Sequence, residues 1–337
     1  MVSNNTLIYK KVPLDIPVPG EDLVIEELPF DLDAVPLNGL IVEVLSASLD
    51  PYLRIRMRDT KVPDFAPPFN SNEPIVNGTI SRVIKSDNED FKVGDLVQTH
   101  LPFAQYAAIS AEQAPSAVKV NNPFNLPPDV FLGPLGMPGL TGYSSLYEIA
   151  KPKKGETIFV SSAAGAVGSI VVIGSVGSDD KLEFILKDLG FDDGFNYKKE
   201  KPMDAVARLV PEGLDIYYEN VGGAHMEAAL AHMKTRGRIV VCGMIGSYNT
   251  PLEQREPVRN LIETFERRIT IRGFVVSDED FGRKYSKEHQ TNVQKWIAEG
   301  SFTAKLHVTH GLEHAAEGFA EIFRGKNFGK AVLKIKE

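Results

Sequence analysis

The sequence predicts an α/β protein that consists of a β-rich domain and a second domain built on a parallel sheet. The chain has 337 residues, of which 43% are hydrophobic, so it is long enough to form two cores. Residues 1 to about 125 are rich in β-branched runs and in proline, whereas after about residue 129 short apolar strands alternate with helical segments. This alternation favours a parallel sheet that is covered on both faces.

The N-terminal part is expected to contain strands and loops and no long helix. Residues 41–45 and 78–84 cluster β-branched side chains, and frequent prolines prevent long helices in this part. Residues 50–58 place three arginines and Tyr52 beside Pro51. This segment is compatible with a solvated loop held by aliphatic side chains, or with the polar wall of a ligand pocket.

The second part has the periodicities of strands and helices in turn. A helix is expected over residues 179–189, because Ser178 is a suitable N-cap and Gly190 a suitable C-terminal cap. Further helices are expected after Gly223 and before Gly300 and Gly325. Strands are expected over residues 157–160, 172–176, 214–218, 238–242 and 269–276. Residues 330–336 alternate as a closing strand that we expect to return to the first domain.

Composition and charge exclude several classes of partner and site. The net charge is −8 and no basic run stands out, which argues against nucleic acid or an anionic membrane surface as a partner. Cys242 is the single cysteine, so a disulfide framework within one chain is impossible and a cysteine-built zinc site is disfavoured. No signal peptide and no apolar run of about 18–20 residues is evident. We therefore expect a soluble, cytoplasmic protein.

The loop after the strand at residues 157–160 has the spacing of a phosphate-binding turn. Ala163, Gly165 and Gly168 form a relaxed version of the dinucleotide fingerprint. Bare peptide N–H groups beside a helix N-terminus bind phosphate. Small residues after a strand also form ordinary tight turns, so this loop alone does not decide between the two.

The end of the second strand favours NADP over NAD. An NAD site has an acidic side chain there for the ribose 2′-hydroxyl, whereas this chain has Gly177 and Ser178, with Lys181 one turn later. A lysine suits a 2′-phosphate. Asp179 and Asp180 weaken the inference, and their alternative role is to stabilise the helix N-terminus through its dipole.

Three more segments follow strands at the expected ligand edge of the sheet. Residues 219–223 are compatible with a tight turn or a binding loop, and Cys242 with a buried core thiol or a cofactor contact. Tyr248 lies in a loop of small residues, where its hydroxyl is suited to stabilise a carbonyl whose charge grows during a reaction. A partly exposed loop tyrosine is the alternative.

Eight segments resemble, in order, those of the zinc-free medium-chain dehydrogenases/reductases. Within that family the chain resembles the leukotriene B4 12-hydroxydehydrogenase/prostaglandin reductase group, with the plant and fungal NADP-dependent alkenal double-bond reductases. The segments cover nearly the whole chain and are residues 50–54 (DPYLR), 136–141 (GMPGLT), 163–168 (AAGAVG), 177–181 (GSDDK), 195–197 (FNY), 219–223 (ENVGG), 242–249 (CGMIGSYN) and 325–330 (GKNFGK).

The resemblance implies a fold and an activity. It implies a GroES-like catalytic domain over residues 1–127 and 301–337, and a Rossmann-like, doubly wound NADP-binding domain over residues 128–300. It also implies reduction of the C=C bond of α,β-unsaturated aldehydes or ketones with NADP(H), without a metal ion, and relatives that are often dimers. Zinc-free quinone and enoyl-thioester reductases have the same scaffold and are the alternative within enzymes.

The resemblance further implies roles for single residues. The residues expected to bind the cofactor are Gly165, Ala166 and Val167 at the pyrophosphate, Ser178, Lys181 and Tyr197 at the 2′-phosphate, and Asn220, Cys242 and Asn327 at the ribose and nicotinamide side. Tyr248 is expected to be catalytic, beside the nicotinamide ribose and the substrate carbonyl. Tyr52 and Arg54 are expected to border the substrate.

The chain departs from the family after Gly168. Relatives have a full helix between the glycine loop and the second strand, whereas here only residues 169–171 separate Gly168 from that strand. A crossover between parallel strands needs at least about 10–12 residues including its helix, so the first Rossmann helix is expected to be shortened or missing. A splice or gene-model variant, an engineered or incomplete sequence, and a rebuilt site all fit this shortfall. A non-catalytic relative that no longer binds a dinucleotide is the alternative from another functional class.

Overall fold

The computed structural model describes residues 1–163 and 173–336. The chain divides into two compact units: unit 1 consists of Met1–Gly133 and Leu306–Glu337, and unit 2 of Pro134–Lys305. Both boundaries lie a few residues after those expected at 127 and 300. Each unit buries its own apolar residues.

The first segment of unit 1, residues 1–133, consists of strands, one short α-helix and 3₁₀ turns. Its elements are β1 (Val2–Tyr9), β2 (Leu23–Phe30), β3 (Leu40–Ser48), α1 (Tyr52–Arg56), β4 (Glu73–Pro74), β5 (Val76–Ser86), β6 (Leu96–Pro102), β7 (Tyr106–Ile109) and β8 (Val118–Lys119). The strands expected at residues 41–45 and 78–84 lie within β3 and β5.

Unit 2 alternates strands and helices, as the sequence predicts. Its described elements are α2 (Met137–Ser145), β9 (Ile158–Val160), β10 (Ile173–Val176), α3 (Asp179–Lys187), β11 (Asp193–Asn196), α4 (Pro202–Leu209), β12 (Leu214–Glu219), α5 (Gly223–His232), β13 (Met233–Val241), α6 (Glu263–Glu266), β14 (Thr270–Gly273) and α7 (Lys284–Ala298).

The last segment of the chain completes unit 1. It consists of β15 (Leu306–His310), α8 (Ala315–Phe323) and β16 (Lys330–Lys334). The main sheet of unit 1 has the order β15-β16-β3-β5-β6-β8, with β7 on β3, and β16 pairs antiparallel with β3. The closing strand therefore returns to the first domain, as predicted.

The described strands of unit 2 form a single parallel sheet of the order β11-β10-β9-β12-β13-β14. Counted from β9 as the first strand, this order is 3-2-1-4-5-6, the doubly wound arrangement of dinucleotide-binding domains. The predicted α/β class with a Rossmann-like sheet is confirmed.

Helices cover both faces of this sheet because neighbouring side chains of each strand point to opposite sides. Phe159 and Tyr217 pack with α4 and α5 on one face. Val160 and Tyr218, each one residue further along its strand, pack with α3 on the other face. The two buried faces explain why the strands are almost continuously apolar.

Helix α3 begins where the sequence predicts and ends two residues earlier. Ser178 has the extended backbone of an N-cap, and Gly190 has a φ of +70° that suits glycine. The amides of Asp188 and Leu189 both donate to the Phe184 carbonyl, so the last turn closes before Gly190 is reached. The helix begins at the carboxyl end of β10, and so places Lys181 near that edge.

Strands β9 and β10 are adjacent and parallel, with Ile173 opposite Phe159. Their connection is residues 161–172, of which the structure describes residues 161–163. The expected loss of the first Rossmann helix, and the roles expected for Gly165, Ala166 and Val167, lie outside the described residues. Among the described helices, none is long and apolar enough to cross a membrane.

Candidate functional site

The carboxyl ends of the parallel strands in unit 2 bring together residues that are far apart in the sequence. Ser161 follows β9, Gly177 follows β10, Tyr197 follows β11, Asn220 follows β12 and Cys242 follows β13. In doubly wound sheets ligands bind outside these ends, next to the point where the strand order reverses. Here that point lies between β9 and β12.

At the end of β10 the backbone leaves room for the Tyr197 ring. The Tyr197 amide donates to the Val176 carbonyl at 3.0 Å. A Cβ on Gly177 would lie 2.8 Å from the Tyr197 hydroxyl oxygen, so a side chain at this position would displace the ring. The edge of the Tyr197 ring faces the buried His225 ring, with 5.5 Å between centroids, and this contact fixes its orientation.

Lys181 lies in the first turn of α3 and is only 9% exposed. Burial lowers the pKa of its ammonium group, nearby Asp180 opposes this effect, and nearby Lys198 adds to it. An anionic ligand close to Lys181 would favour the charged form of its side chain and would oppose the effect of burial. The Asp180 carboxyl group also forms a hydrogen bond with the Ser178 side chain, and this bond lowers the pKa of Asp180.

The Asp179 carboxylate is bonded to two side chains of the protein itself. Its carboxylate accepts a hydrogen bond from the Asn196 amide at 2.8 Å and pairs with Lys199. These contacts tie the start of α3 to the end of β11. They favour the structural role that the sequence left open for Asp179.

Glu219, at the end of β12, organises the turn that follows it. Its Oε1 accepts from the amides of Val221 at 2.6 Å and Gly222 at 2.9 Å, and from the Tyr217 hydroxyl at 2.9 Å. The Ser161 hydroxyl donates to the same oxygen at 3.2 Å. The other oxygen, Oε2, is buried and has no hydrogen-bond partner among residues 1–163 and 173–336. Burial raises the pKa of this carboxyl group, and the donated hydrogen bonds oppose the rise.

Asn220 and Ser161 connect the ends of β12 and β9. The Asn220 side-chain amide donates to the Ser161 carbonyl at 2.8 Å, and the Asn220 backbone amide donates to the Ser161 hydroxyl at 2.9 Å. Asn220 is therefore held at the reversal point of the sheet, and its contact with the cofactor stays a prediction.

The Cys242 thiol faces the Tyr218 side of the sheet. Its surroundings raise the pKa of the thiol to about 11, and a hydrogen bond with the Tyr218 hydroxyl opposes that rise. The Tyr218 hydroxyl also lies 2.7 Å from the Ser145 hydroxyl. The Cys242 and Gly243 amides both donate to the Glu219 carbonyl. The thiol is therefore protonated at neutral pH, and the backbone of this segment is fixed by Glu219.

Tyr248 folds back over the end of β13. Its hydroxyl accepts from the Met244 amide at 3.4 Å, and a Cβ on Gly243 would lie 2.8 Å from that hydroxyl. Gly243 is thus needed for this approach. The phenol is held at the edge where Cys242 leaves the sheet.

Unit 1 contains Tyr52, which is expected near the substrate, and Asn327, which is expected near the cofactor, and both side chains are hydrogen-bonded within that unit. The Tyr52 hydroxyl donates to the Asn77 Oδ1 at 2.6 Å. Burial and the Asp50 carboxylate raise the pKa of Tyr52 to about 12. Asn327, also in unit 1, donates from its side-chain amide to the Gly329 carbonyl at 2.9 Å.

Arg54 is buried and bonded to backbone carbonyls. Its guanidinium donates to Pro13 at 3.0 Å, Asp15 at 3.2 Å and Met57 at 3.2 Å. It therefore joins α1 to a loop about 40 residues earlier in the chain. These contacts favour an anchoring role, and the substrate contact expected from the resemblance stays a prediction.

Both parts of the chain match families of oxidoreductases. Residues 21–118 match the N-terminal domain of oxidoreductases, and residues 157–290 match the zinc-binding dehydrogenases. The NADP-dependent oxidoreductase RED1 of Cochliobolus heterostrophus is 48% identical, and the alignment covers 100% of this chain and 99% of that protein. The chain belongs to the medium-chain dehydrogenase/reductase family.

Two further relatives of this medium-chain dehydrogenase/reductase agree with the group expected from its motifs. The NADP(+)-dependent 2-alkenal reductase of Nicotiana tabacum is 38% identical, over 99% of this chain and 98% of that protein. The crystal structure of CurA from Vibrio vulnificus in complex with NADPH is 31% identical, with a TM-score of 0.90 over 99% of both chains. The predicted family and two-domain α/β fold are confirmed, and the protein is an oxidoreductase.

The alignment with RED1 also bears on chain length. It spans 348 positions, whereas this medium-chain dehydrogenase/reductase has 337 residues, so at least 11 positions of the alignment have no residue here. This difference is similar in size to the helix expected to be missing after Gly168.

In this medium-chain dehydrogenase/reductase, sequence reasoning missed the role of Glu219. The signal was available: an acidic residue directly follows three apolar or aromatic residues that are buried in the strand, and it precedes a turn with two glycines. A carboxylate at such a place accepts the unpaired amides of the turn. Among residues 1–163 and 173–336, no group of three or more His, Cys, Asp or Glu side chains is arranged to hold a metal ion.

Proposed function

We propose that this protein is an NADPH-dependent reductase of the C=C bond of α,β-unsaturated aldehydes and ketones. The observation that carries the proposal is the end of β10, where Gly177 and Ser178 take the place of an acidic residue directly after the strand, Lys181 lies one turn later and Tyr197 packs against Gly177. The names of relatives that cover the whole chain, an NADP-dependent oxidoreductase and a 2-alkenal reductase, support the same cofactor and substrate class.

The residues at the sheet edge fit the cofactor chemically. Lys181 supplies a cation, and Ser178 and Tyr197 supply hydroxyl groups, for a 2′-phosphate. Asn220 and Cys242 would hold the ribose and nicotinamide side, and Gly165, Ala166 and Val167 the pyrophosphate. When bound, NADPH would supply the hydride that adds to the β-carbon of the substrate.

Tyr248 is the residue of this chain that we assign to the reacting centre. As the β-carbon gains a hydride, negative charge moves to the carbonyl oxygen, and a hydroxyl donor stabilises that charge. The hydroxyl of Tyr248 or of the cofactor ribose supplies this hydrogen bond. Solvent then protonates the α-carbon, directly or through Tyr248. No metal is required, since conjugation already makes the β-carbon electrophilic.

Cofactor binding is tested first, because it separates an enzyme from a degenerate relative. A ligand at 100 times its Kd stabilises the folded state by about 2.7 kcal/mol, so NADPH is expected to raise the melting temperature. NADH serves as the matched ligand without the 2′-phosphate. The absence of any shift at millimolar NADPH would contradict the proposal and favour a non-catalytic protein, whereas equal shifts with both would remove the assigned role of Lys181.

Substrate class is tested by turnover of three compounds with NADPH: a simple alkenal, a quinone and a crotonyl thioester. We expect the highest kcat/KM for the alkenal, together with a saturated aldehyde as product. Preferential turnover of the quinone or of the thioester would replace this substrate class by one of the two related activities on the same scaffold.

The outermost strand of the sheet in unit 2 supports assembly of this protein as a homodimer. Strand β14 is an edge strand whose four residues are all exposed, and Phe265 and Ile262 nearby are 79% and 59% exposed. Exposed strand edges pair readily with a second copy. Light scattering is expected to give a dimer mass, and Ile271→Lys with Phe265→Asp a monomer. Leu14→Asp, at an exposed leucine of unit 1, is the control that should leave the mass unchanged.

The cytoplasm is the compartment we expect for this protein, with a small molecule as substrate. Imaging of a tagged full-length chain tests this expectation.

A further inference from the structure

Unit 1 contains a buried series of polar side chains that ends at Tyr52. Its members come from three adjacent strands: Lys330 begins β16, Asp50 follows β3 and Asn77 lies in β5. The side chains of Lys330 and Asp50 are 4% and 6% exposed, and Asn77 is 1% exposed. Buried polar groups are costly unless they are hydrogen-bonded, so their contacts indicate which atoms the fold has fixed.

The Lys330 ammonium uses all three of its donors. It donates to the carbonyls of Leu49 at 2.6 Å and Ala331 at 2.9 Å, and it lies 2.9 Å from Asp50 Oδ1. The second carboxylate oxygen, Oδ2, accepts from the Ser48 hydroxyl at 2.5 Å and from the Asn77 amide nitrogen at 2.8 Å. Asp50 is therefore held on both oxygens, and Lys330 compensates its charge.

These contacts also fix which way the Asn77 amide points. Its nitrogen has two hydrogens, and both are used, on the Ser48 carbonyl at 2.8 Å and on Asp50 Oδ2 at 2.8 Å. Both of these oxygens are acceptors, so the nitrogen faces them and Oδ1 faces the Tyr52 hydroxyl at 2.6 Å. A carbonyl oxygen only accepts. The phenol must therefore donate its proton to Asn77.

We propose that Lys330, Asp50 and Asn77 are positioning residues that commit the hydroxyl proton of Tyr52 to Asn77. Tyr52 then offers the substrate its ring, which this hydrogen bond holds in place, and it does not donate a hydrogen bond or a proton to the substrate carbonyl. This inference rests on the proposed reductase function. The donor to the carbonyl and the source of the α-carbon proton are then groups other than Tyr52.

The surroundings of Tyr52 agree with this assignment. Burial and Asp50 raise the pKa of the phenol to about 12, while the charge of Arg56 and its hydrogen bond to the Tyr52 hydroxyl act in the opposite direction. The Arg56 guanidinium is itself fixed, because it donates to the carbonyls of Pro67 and Val76 at 2.9 and 3.0 Å. Tyr52 therefore keeps its proton at neutral pH.

A double-mutant cycle with Asn77→Leu and Tyr52→Phe tests the proposal in the full-length protein. Each single variant is expected to raise the KM for a simple enone about tenfold, with kcat changed less than about twofold. In the Tyr52→Phe background, Asn77→Leu is expected to add less than about twofold, because it acts through a hydroxyl that is no longer there. An equal effect of Asn77→Leu in both backgrounds would mean a merely structural role and would overturn the proposal. A large loss of kcat in Tyr52→Phe would also overturn it, since Tyr52 would then donate the proton.

A second measurement does not depend on turnover or on the proposed function. The protein is labelled with ¹³C at the phenolic carbon of its 10 tyrosines, and the Tyr52 signal is assigned by its loss in Tyr52→Phe. In Asn77→Leu this signal is expected to shift and to titrate at lower pH, because the neutral phenol loses its acceptor. Asn77→Ala serves as a second variant if Asn77→Leu does not fold. An unchanged Tyr52 signal in a folded variant would overturn the proposal. Absence of enone turnover in the wild type together with the expected shift would refute the substrate class alone.

Discussion

Each unit of this protein buries an acidic residue at the end of a strand, and the two carboxylates are stabilised in different ways. Asp50 in unit 1 has a lysine counter-ion and hydrogen-bond donors on both oxygens. Within the described part of the chain, the donors to Glu219 in unit 2 are all neutral and all bond to one oxygen. A carboxylate with a counter-ion keeps its charge when buried, whereas one that depends on dipoles holds its proton more readily. The first arrangement fixes a charged network, and the second fixes a turn.

The two candidate tyrosines continue this difference. Tyr52 donates its proton to Asn77, which is held by Asp50, whereas the Tyr248 hydroxyl accepts from a backbone amide. The segment that leads to Tyr248 begins with two amides bonded to the Glu219 carbonyl. Tyr52 is thus connected to the carboxylate of Asp50, whereas the Tyr248 segment is connected to the backbone of Glu219 and not to its carboxylate.

Removal of the counter-ion in unit 1 should have the largest effect. We expect Lys330→Met to lower the free energy of unfolding by about 3–5 kcal/mol, because it leaves the Asp50 charge buried and unpaired. Adding Asp50→Asn should restore part of this loss. Urea unfolding measures both. Lys326→Met, at an exposed lysine that pairs with Glu321, is the control and should change stability by less than about 1 kcal/mol. A similar small effect at Lys330 would refute the comparison.

The two tyrosines should respond differently to loss of the hydroxyl. Tyr248→Phe is expected to lower kcat about 100-fold, the usual effect of removing a donor to a developing oxyanion, with NADPH affinity nearly unchanged. Tyr52→Phe should act mainly on KM. Steady-state kinetics with one enone and a Kd for NADPH measure both. An unchanged kcat in Tyr248→Phe would remove its assigned role.

Two substitutions of Glu219 should show whether the turn after β12 depends on its hydrogen-bond acceptor oxygen. Glu219→Leu leaves the amides of Val221 and Gly222 without an acceptor, and we expect a loss of about 1–3 kcal/mol in urea unfolding. Glu219→Gln keeps an acceptor oxygen and should cost less. If both variants are equally unstable, the turn does not depend on the acceptor.

The charge of Glu219 also predicts a pH dependence. Its pKa is raised in the folded state from the usual value near 4.5, so the folded state holds the proton more tightly than the unfolded chain. Its contribution to stability is therefore fully present below about pH 4.5 and is lost as the pH rises through the raised pKa. The difference in unfolding free energy between wild type and Glu219→Gln should change in the same direction over that range. A difference that is independent of pH would show that Glu219 is ionised throughout.

The smallest expected effect concerns cofactor choice in unit 2. Lys181→Ala should weaken NADPH binding about tenfold and leave NADH binding unchanged, because only NADPH has the 2′-phosphate. Lys199→Ala is the matched control, since Lys199 is paired with Asp179 on the same edge. Isothermal titration with both cofactors measures the difference. Equal losses in the two variants would indicate a general electrostatic effect.

The elements that the sequence predicted have strong local signals, and the missed ones depend on their neighbours. Helix α3 was predicted from Ser178, its apolar face and Gly190. Strand β11 was missed because its four residues include Asp, Gly and Asn, and it becomes a strand only through its pairing with β10. Helix α4 begins with Pro202, which is a common first residue of a helix. It has only eight residues, which are too few to show a repeated apolar face without knowledge of the sheet that it covers.

The site was predictable to the extent that its residues follow strands. Lys181, Tyr197, Asn220 and Cys242 were placed from strand ends and motifs, and they lie at one edge of the sheet. Arg54 was harder, since its partners at residues 13 and 15 lie about 40 positions away and no local pattern connects them. The hydrogen bonds that join Lys330, Asp50 and Asn77 were equally hard to predict, because Lys330 and its partner Leu49 are 281 residues apart.

The origin of unit 1 from both ends of the chain also determines when it is completed during synthesis. A ribosome releases residues 134–305, the whole of unit 2, before the segment that contributes β15, α8 and β16. Until that segment emerges, β3 lacks its partner β16, and Asp50 lacks the ammonium group of Lys330. Every nascent chain therefore passes through a stage with a complete dinucleotide sheet and an unfinished partner unit. A truncation before Lys330 would arrest it at that stage, with an exposed strand edge for chaperones to recognise.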